Sequence, residues 1–150
     1  CGMTHLDTLL SSNEDQTMKI ASHFTQEYFQ PGVPILLSGQ IGAGKTYFTK
    51  GIAEALGISS REVISPSFAL INEYHGPVCI LNHMDFYRLE NWQEVEQLGI
   101  EEYFTSNSFT VIEWGERFLA HFLPPYYVVK LTVTDEKNRL IEIFYQNYGQ

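Results

Sequence analysis

Apolar and polar positions along the chain follow two periods, one typical of helices and one typical of strands. After Ser12, apolar residues recur every four positions, the spacing of one helix face, at Ile20, Phe24 and Tyr28. Ser12, followed closely by two acidic residues, is typical of a helix start with the serine as its cap. The proline-glycine pair at 31–32 ends this helix, and residues 34–38 form a short apolar run that predicts a buried strand.

The rest of the chain repeats these patterns in an order typical of an α/β protein. Further helices are predicted over residues 46–56, 89–98 and 116–122. Further strands are predicted over residues 68–74, 78–85, 109–114, 126–134 and 139–145, the last two joined as a hairpin around 135–138. The order predicts a single α/β domain over 1–150, with a mostly parallel central sheet, mixed by antiparallel strands, and helices on both faces. Residues 146–150 are expected to be a frayed tail.

Composition narrows the class of protein. The 150 residues include 18 acidic and 9 basic side chains, for a net charge of -9, and 44% of residues are apolar, enough for a real core. The basic residues are scattered, so we expect no strong direct binding of nucleic acid by this chain alone. No apolar run approaches the roughly 20 residues that cross a bilayer, and the start resembles no signal peptide, so we expect no membrane association. Residues 1–2 precede the first methionine and are interpreted as added, which leaves Cys79 alone and favours a reducing, cytoplasmic location.

A glycine-rich segment follows the first predicted strand. It has the sequence Gly39-Gln40-Ile41-Gly42-Ala43-Gly44-Lys45-Thr46 and matches the pattern G-x-x-x-x-G-K-[ST]. The glycines let several backbone N–H groups face one anion, and the next helix adds its positive N-terminal end. In this pattern Lys45 contacts the β- and γ-phosphates and the Thr46 hydroxyl binds Mg²⁺. The sequence therefore predicts a P-loop NTPase.

Two acidic residues end predicted strands farther along, and a P-loop fold needs an acid near its metal ion. Asp85 ends one apolar strand and Glu113 ends the apolar run of the next. Either carboxylate can hold Mg²⁺ through water while the other orients or activates the attacking water, and the sequence leaves these roles open. We predict Lys45, Glu113 and Asp85 as catalytic residues. We predict Thr46, Asp85 and Glu113 as the metal set.

Two further segments point to walls of the same site. The run Ser65-Pro66-Ser67-Phe68 lies between the loop helix and the next strand, where P-loop proteins place a hydroxyl that senses the γ-phosphate. The proline forces Ser65 into an extended conformation, which holds Ser67 toward the site. Asn82 and His83 interrupt an apolar strand, which favours a site wall. The alternative for His83 is a hydrogen-bonded core histidine.

Taken in order, five motif blocks resemble those of the TsaE (YjeE) family of bacterial P-loop ATPases, which serve the biosynthesis of threonylcarbamoyladenosine in tRNA. The blocks are the loop 39–46, the run 65–68, His83-Met84-Asp85-Phe86-Tyr87-Arg88-Leu89, Leu98-Gly99-Ile100 with Tyr103-Phe104, and Glu113-Trp114. The resemblance extends over residues 12–134. One departure is Ser67, where the family commonly has threonine, and the hydroxyl is retained.

The resemblance implies a small ATPase that uses ATP and Mg²⁺ to support the cycling of a TsaD–TsaB pair, in which TsaD transfers threonylcarbamoyl to the adenosine. It implies that Asp85 is the acid on the metal side, that Glu113 is the second acid and that Trp114 lies near the nucleotide. The predicted nucleotide-binding residues are Gly39, Gln40, Ile41, Gly42, Ala43, Gly44, Lys45, Thr46, Ser67 and Trp114. The family motif also includes two residues to which the resemblance gives no clear role, Tyr87 and Arg88.

Two other functions use the same loop. One is a small-molecule kinase, and the other is a nucleotide-gated binding module that hydrolyses nothing. A kinase closes a lid over its acceptor to exclude water, and 150 residues leave little chain for one. Slow hydrolysis by the chain alone, completed by a partner, is therefore the expectation. The sequence has no Asn-Lys-x-Asp string, the usual guanine-reading motif, which favours ATP over GTP.

Overall fold

The structure is a computed structural model that describes residues 2–66 and 70–148. Within these residues the strands are β1 (Thr4–Ser11), β2 (Ile35–Ser38), β3 (Ile71–His75), β4 (Ile80–Asp85), β5 (Ser108–Glu113), β6 (Tyr126–Val133) and β7 (Arg139–Gln146). The α-helices are α1 (Glu14–Glu27), α2 (Lys45–Ala55) and α3 (Trp92–Gln97). Short 3-10 helices cover Ser60–Glu62, Ile100–Tyr103 and Gly115–His121.

The strands form one mixed sheet in the order β1-β7-β6-β2-β5-β4-β3. The four inner strands, β6, β2, β5 and β4, pair in parallel. The outer pairings, β1 with β7, β7 with β6, and β4 with β3, are antiparallel. This confirms the predicted α/β fold with a mixed sheet, and it places the parallel part at the centre. Parallel strands bring their carboxyl ends to the same edge, which is where α/β proteins place ligands.

Successive side chains of β2 point to opposite faces of the sheet and so join two separate cores. Ile35 and Leu37 pack in a cluster with Phe24 of α1 and Phe48 of α2. Leu36 packs on the other face in a cluster that includes residues of α3 and of the 3-10 helix Gly115–His121. The prediction of helices on both faces is therefore confirmed. Because β2 is buried on both faces, it has the continuous apolar sequence that marked it as a strand.

The structure corrects several element predictions. Asn13, not Ser12, caps α1, because its side chain accepts a hydrogen bond from the Gln16 N–H at 2.8 Å. Ser12 instead donates to the Gln16 side chain. The segment predicted as a helix over 116–122 is 3-10 helix, and α3 is shorter than predicted. Strand β1 was not predicted at all, since as an edge strand it buries few of its side chains. The strand expected from residue 68 begins at Ile71, and residue 68 lies outside the described residues.

Two single residues near the edges of the core have defined environments. Cys79 lies immediately before β4 and is buried with a free thiol. Trp92 begins α3 and packs, partly buried, against the cluster that contains Leu36. Among the residues that the structure describes, no helix combines the length and apolar character needed to span a bilayer.

Candidate functional site

A cleft of about 970 Å³ opens at the carboxyl ends of the inner parallel strands, where α2 begins. Its walls include the glycine-rich loop, the strand-end acids Asp85 and Glu113, and the aromatic residues Tyr87 and Trp114. The start of α1, the turn between β6 and β7 and the segment that contains Ser65 also line the cleft. The fold therefore brings residues from six separate parts of the sequence together around the glycine-rich loop.

The glycine-rich loop has a backbone that its glycines make possible. Gly42 has φ 84° and Gly44, which precedes the first residue of α2, has φ 103°, a region that L side chains rarely adopt. In the described structure no side chain caps the N-terminus of α2, and its first turn contains no acidic residue. The N–H groups at the start of a helix lack partners within the helix and carry partial positive charge. This end of α2 is therefore suited to an anion.

Eight of the ten residues predicted to bind nucleotide belong to the glycine-rich loop, and they divide into two groups. Five of them line the cleft, namely Ile41, Gly42, Gly44, Lys45 and Thr46. The other three are not among the lining residues and shape the loop, namely Gly39, Gln40 and Ala43. A Cβ at Gly39 would lie 3.0 Å from the Leu131 carbonyl oxygen of β6, so the loop approaches this strand closely. The backbone carbonyl oxygen of Gln40 accepts a hydrogen bond of 3.0 Å from the N–H of the buried Ala43, and this bond closes the turn.

The Lys45 side chain is held between a carboxylate and an aromatic ring. The residue is only 8% exposed. Its Nζ lies 3.8 Å from Glu113 Oε1 and 4.4 Å from the centroid of the Trp114 ring. An ammonium over an indole face gains about 0.5–2 kcal/mol, and the carboxylate balances its charge. Lys45 is thus held at the cleft, where the Glu113 carboxylate balances its charge. A bound phosphate could replace Glu113 as the partner of the ammonium group.

Asp85 and Glu113 meet at the edge of the sheet, as their positions at strand ends predicted. The two residues are register partners across β4 and β5. Asp85 Oδ1 accepts the Tyr87 N–H at 2.8 Å, and no ion pair forms at this carboxylate within the described residues. Glu113 Oε2 lies 2.5 Å from His83 Nε2. Burial raises the pKa of the Asp85 carboxyl; the Tyr87 N–H opposes this and the negative charge of Glu113 adds to it.

The segment after each strand end holds an aromatic residue in the wall. The Tyr87 and Trp114 rings lie 5.1 Å apart, centroid to centroid. Arg117 donates to the carbonyl oxygens of Phe86 at 3.3 Å and Tyr87 at 2.8 Å, which fixes the segment after β4. Trp114 has a left-handed backbone with φ 64°. Arg88 also lines the cleft, so both family-motif residues without an assigned role lie at this site.

The structure adds cleft residues that the sequence did not single out. Arg139 Nη2 donates a hydrogen bond to the Gly42 carbonyl oxygen at 3.1 Å. The two residues are 97 positions apart in the sequence, so no local sequence pattern predicts their contact. Glu116 is not a lining residue, but it is half-buried near Lys45 and Glu113, and burial raises the pKa of its carboxyl. Its position three residues after Glu113 is the one signal that was present. Ser65 lines the cleft, whereas Ser67, the residue that was predicted to face the site, lies outside the described residues.

Comparisons with known proteins agree on one group. The family model described as Threonylcarbamoyl adenosine biosynthesis protein TsaE matches residues 11–141. A Bacillus subtilis protein named tRNA threonylcarbamoyladenosine biosynthesis protein TsaE is 47% identical over 103 residues, 69% of this chain and 63% of that protein. The matched part is thus less than two thirds of that relative's length. A Rickettsia bellii protein of the same name is 36% identical over 142 residues, 94% of this chain and 96% of that protein. The crystal structure of Bacillus subtilis YdiB superposes with a TM-score of 0.78 at 31% identity, covering 97% of this chain and 88% of that chain.

Proposed function

The chain belongs to the TsaE family, and on that premise we propose that it binds ATP with Mg²⁺ and hydrolyses it in support of tRNA threonylcarbamoyladenosine biosynthesis. We propose that it acts with a TsaD–TsaB pair, as the family resemblance implies. The observation that carries the ATPase proposal is the meeting of Lys45 with Asp85 and Glu113 in one cleft at the start of α2. The free, buried thiol of Cys79 suits a reducing compartment, and we keep the cytoplasm as the expected location.

The triphosphate would bind along the glycine-rich loop. The N–H groups at the start of α2 carry no side-chain cap in the described structure, so they are available to phosphate oxygens. Lys45 already points into the cleft, and its contact with Glu113 is an ion pair of 3.8 Å rather than a short hydrogen bond. Phosphate is a stronger partner for a lysine than a carboxylate at that distance, because it offers several charged oxygens. Binding would therefore transfer Lys45 from Glu113 to the nucleotide.

The donors around the cleft suit Mg²⁺. Mg²⁺ prefers oxygen ligands and is usually held by one or two carboxylates together with substrate phosphates and water. The Thr46 hydroxyl and the Asp85 carboxylate both line the cleft and supply such oxygens. Residues 2–66 and 70–148 contain no cluster of three or more His, Cys, Asp or Glu able to hold a metal without a nucleotide. When bound, Mg²⁺ supplies charge neutralisation on the phosphates.

The surroundings of the two acids favour different roles for them. The Asp85 carboxylate makes no ion pair with the residues described and so remains available on the metal side. Glu113 is held by His83 and faces Lys45, which favours the role of orienting water. In hydrolysis the water oxygen bonds to the γ-phosphorus, and the bond from that phosphorus to the β,γ-bridging oxygen breaks. ADP leaves, and the proton of the water passes to Glu113 and then to solvent.

The test is nucleotide binding and phosphate release by the purified chain, measured with and without a TsaD–TsaB pair. We expect ATP binding that needs Mg²⁺, slow phosphate release, and a changed rate when the pair is added. Lys45→Ala should lower both affinity and turnover. Lys130→Ala is the matched control, because Lys130 is exposed on β6 and does not line the cleft; it should behave as the unmodified protein.

Each other outcome points to a different function. ATP binding without phosphate release, even with the pair present, would indicate a nucleotide-gated binding module. Transfer of the phosphoryl group to an added small molecule would indicate a kinase. If properly folded protein binds no ATP in the presence of Mg²⁺, or if Lys45→Ala binds and hydrolyses it unchanged, the proposed function is wrong.

A further inference from the structure

His83 is a fully buried histidine beside the proposed site. It lies on β4 two residues before Asp85, so both side chains point to the same face of the sheet. The residue has 0% exposure, and its Nε2 lies 2.5 Å from Glu113 Oε2. The imidazole is therefore too deep to meet a nucleotide in the cleft. Any effect that it has on the reaction must pass through Glu113.

The surroundings of the ring determine which nitrogen carries the proton. His83 Nδ1 is buried, and it has no hydrogen-bond partner among the residues that the structure describes. A neutral imidazole has one N–H donor and one bare acceptor nitrogen. The carboxylate of Glu113 can only accept, so the nitrogen that faces it must donate. An N–H on the buried Nδ1 would leave a donor unpaired and would also set a bare nitrogen against a carboxylate oxygen.

We propose that His83 is a positioning residue, which donates its Nε2–H to Glu113 Oε2 and thereby directs Glu113 Oε1 toward Lys45 and the cleft. Oε1 lies 3.8 Å from Lys45 Nζ, on the side where the nucleotide would lie. A glutamate side chain has three rotatable bonds, and a fixed donor behind it removes most of that freedom. This kind of support from a second layer of residues holds a reactive group within a fraction of an ångström of its working position.

The proposal rests on the proposed function and refines it. Before ATP binds, Lys45 and His83 engage the two oxygens of Glu113 separately. When a phosphate takes Lys45, Oε1 loses its partner while Oε2 keeps the histidine. Glu113 then remains aimed at the cleft with one free oxygen that can accept a proton from water. Without His83, the released carboxylate can rotate away or follow Lys45.

The first experiment compares two substitutions at residue 83. His83→Leu removes the donor, whereas His83→Gln retains an N–H near the position of Nε2. We expect His83→Leu to lower kcat by about 10–100-fold, as loss of an outer-layer partner commonly does, and to change the Kd for ATP by less than about threefold. His83→Gln should recover most of kcat. The prediction that Asn82 walls the site is wrong, because Asn82 does not line the cleft; it is buried on the opposite face of the sheet from His83 and donates to Thr110. Asn82→Leu is therefore the control, and its kcat should be unchanged even where its Tm falls.

A double substitution separates positioning from a general loss of structure. Because His83 acts through Glu113, adding His83→Leu to Glu113→Gln should cause no further loss of kcat. Equal losses in the two backgrounds would overturn the proposal. It would also be overturned if His83→Gln were as inactive as His83→Leu while both kept the Tm of the unmodified protein.

The second experiment does not depend on hydrolysis. Nitrogen NMR of protein labelled with ¹⁵N-histidine, with residue 83 assigned by its loss in His83→Gln, reports the tautomer directly. We expect a protonated Nε2 and a bare Nδ1, and a shifted Nε2–H signal in Glu113→Gln. A proton on Nδ1, or a signal that Glu113→Gln leaves unmoved, would refute the proposal. An unmodified protein that releases no phosphate but shows the expected signals would refute only the proposed function.

Discussion

Asp85 and Glu113 are direct neighbours at the ends of β4 and β5, yet their carboxylates have different partners. Asp85 accepts a backbone N–H from Tyr87, whereas Glu113 contacts the side chains of His83 and Lys45. Two acids at equivalent positions of parallel strands thus occupy different electrostatic surroundings. This asymmetry, rather than the residue type, distinguishes their expected roles.

The first prediction separates those roles. Asp85→Ala should lose the part of ATP binding that depends on Mg²⁺, by about 10–100-fold in affinity, because it removes a metal-side oxygen donor. Glu113→Ala should keep binding and lose turnover. Calorimetric titration with ATP, with and without Mg²⁺, alongside phosphate release, checks both variants. The reverse pattern, with binding lost in Glu113→Ala alone, would exchange the two roles.

The second prediction concerns stability. Burial raises the pKa of Asp85, so the fold favours its protonated form. Its ionised form therefore lowers the free energy of unfolding as the pH rises above the ordinary pKa of about 3.9. Asp85→Asn removes that cost and should raise the Tm of the ligand-free protein at pH 7, while weakening Mg²⁺-dependent ATP binding. Glu73→Gln, the same charge change at an exposed position of β3, should leave Tm unchanged in the same thermal scan. A Tm for Asp85→Asn at or below that of the parent would contradict this account.

The third prediction concerns the contact between the β6–β7 turn and the glycine-rich loop. Arg139 donates both to Gly42 and to the carbonyl oxygens of its own turn, so it ties the turn to the loop. Arg139→Ala should lower ATP affinity about tenfold or more, since a charge-assisted hydrogen bond contributes about 1.5 kcal/mol or more and each 1.4 kcal/mol is a factor of ten. Calorimetry of the variant beside Arg61→Ala, an exposed arginine outside the cleft, checks this. Equal affinities in the two variants would show that the contact is incidental.

The fourth prediction concerns the packing of α1 on α2. A Cβ at Gly51 would lie 2.2 Å from the Met18 carbonyl oxygen and 2.8 Å from the Ala21 Cβ. No side-chain rotation relieves a clash with backbone, so Gly51→Ala should force the helices apart and cost about 3 kcal/mol of unfolding free energy. Urea denaturation measures the loss. Glu54→Ala, exposed on the same helix, should change stability by less than about 0.5 kcal/mol.

The fifth prediction concerns alkaline pH. The Tyr127 hydroxyl is buried, donates to the Tyr28 carbonyl oxygen at 2.5 Å, and burial raises its pKa to about 12. An unfolded tyrosine loses its proton near pH 10, so the folded state holds the proton more tightly. The contribution of this proton to the free energy of unfolding is fully present below pH 10. It is lost as the pH rises to about 12, at about 1.4 kcal/mol per pH unit. Tyr127→Phe should be less stable at neutral pH and show a smaller fall over this window in denaturation at fixed pH values. A parent whose stability is constant from pH 10 to 12 would contradict it.

The parts of the fold that were predictable are those with strong local signals. Strand β2 is apolar at every buried position and enters a glycine, and α2 carries a helical period that ends before Gly57, whose φ is 79°. Strand β1 has no comparable signal, because it is stabilised by pairing with β7 at the other end of the chain. The cap of α1 was misplaced by one residue, since Ser12 and Asn13 are both good caps and only the backbone decides between them.

The site was predictable to the same degree. The loop motif and the acids at strand ends were found because each is a local pattern, and parallel strands necessarily bring such ends together. The sequence could also indicate that His83 was unusual in an apolar strand, but not that Glu113 was its partner, because that contact depends on the register of β4 against β5. Arg139 joined the site only through the folding of the terminal hairpin onto the loop.

The left-handed backbone at Trp114 has an evolutionary consequence. Glycine adopts this conformation freely, whereas a residue with a Cβ gives up about 1–2 kcal/mol to do so. Mutational drift under selection for backbone stability alone would therefore replace the tryptophan, and its contacts with Lys45, with Tyr87 and with the cluster that contains Leu36 oppose that drift. In a library of all substitutions at residue 114, the variant with the highest Tm and the variant with the highest affinity for ATP should therefore carry different amino acids.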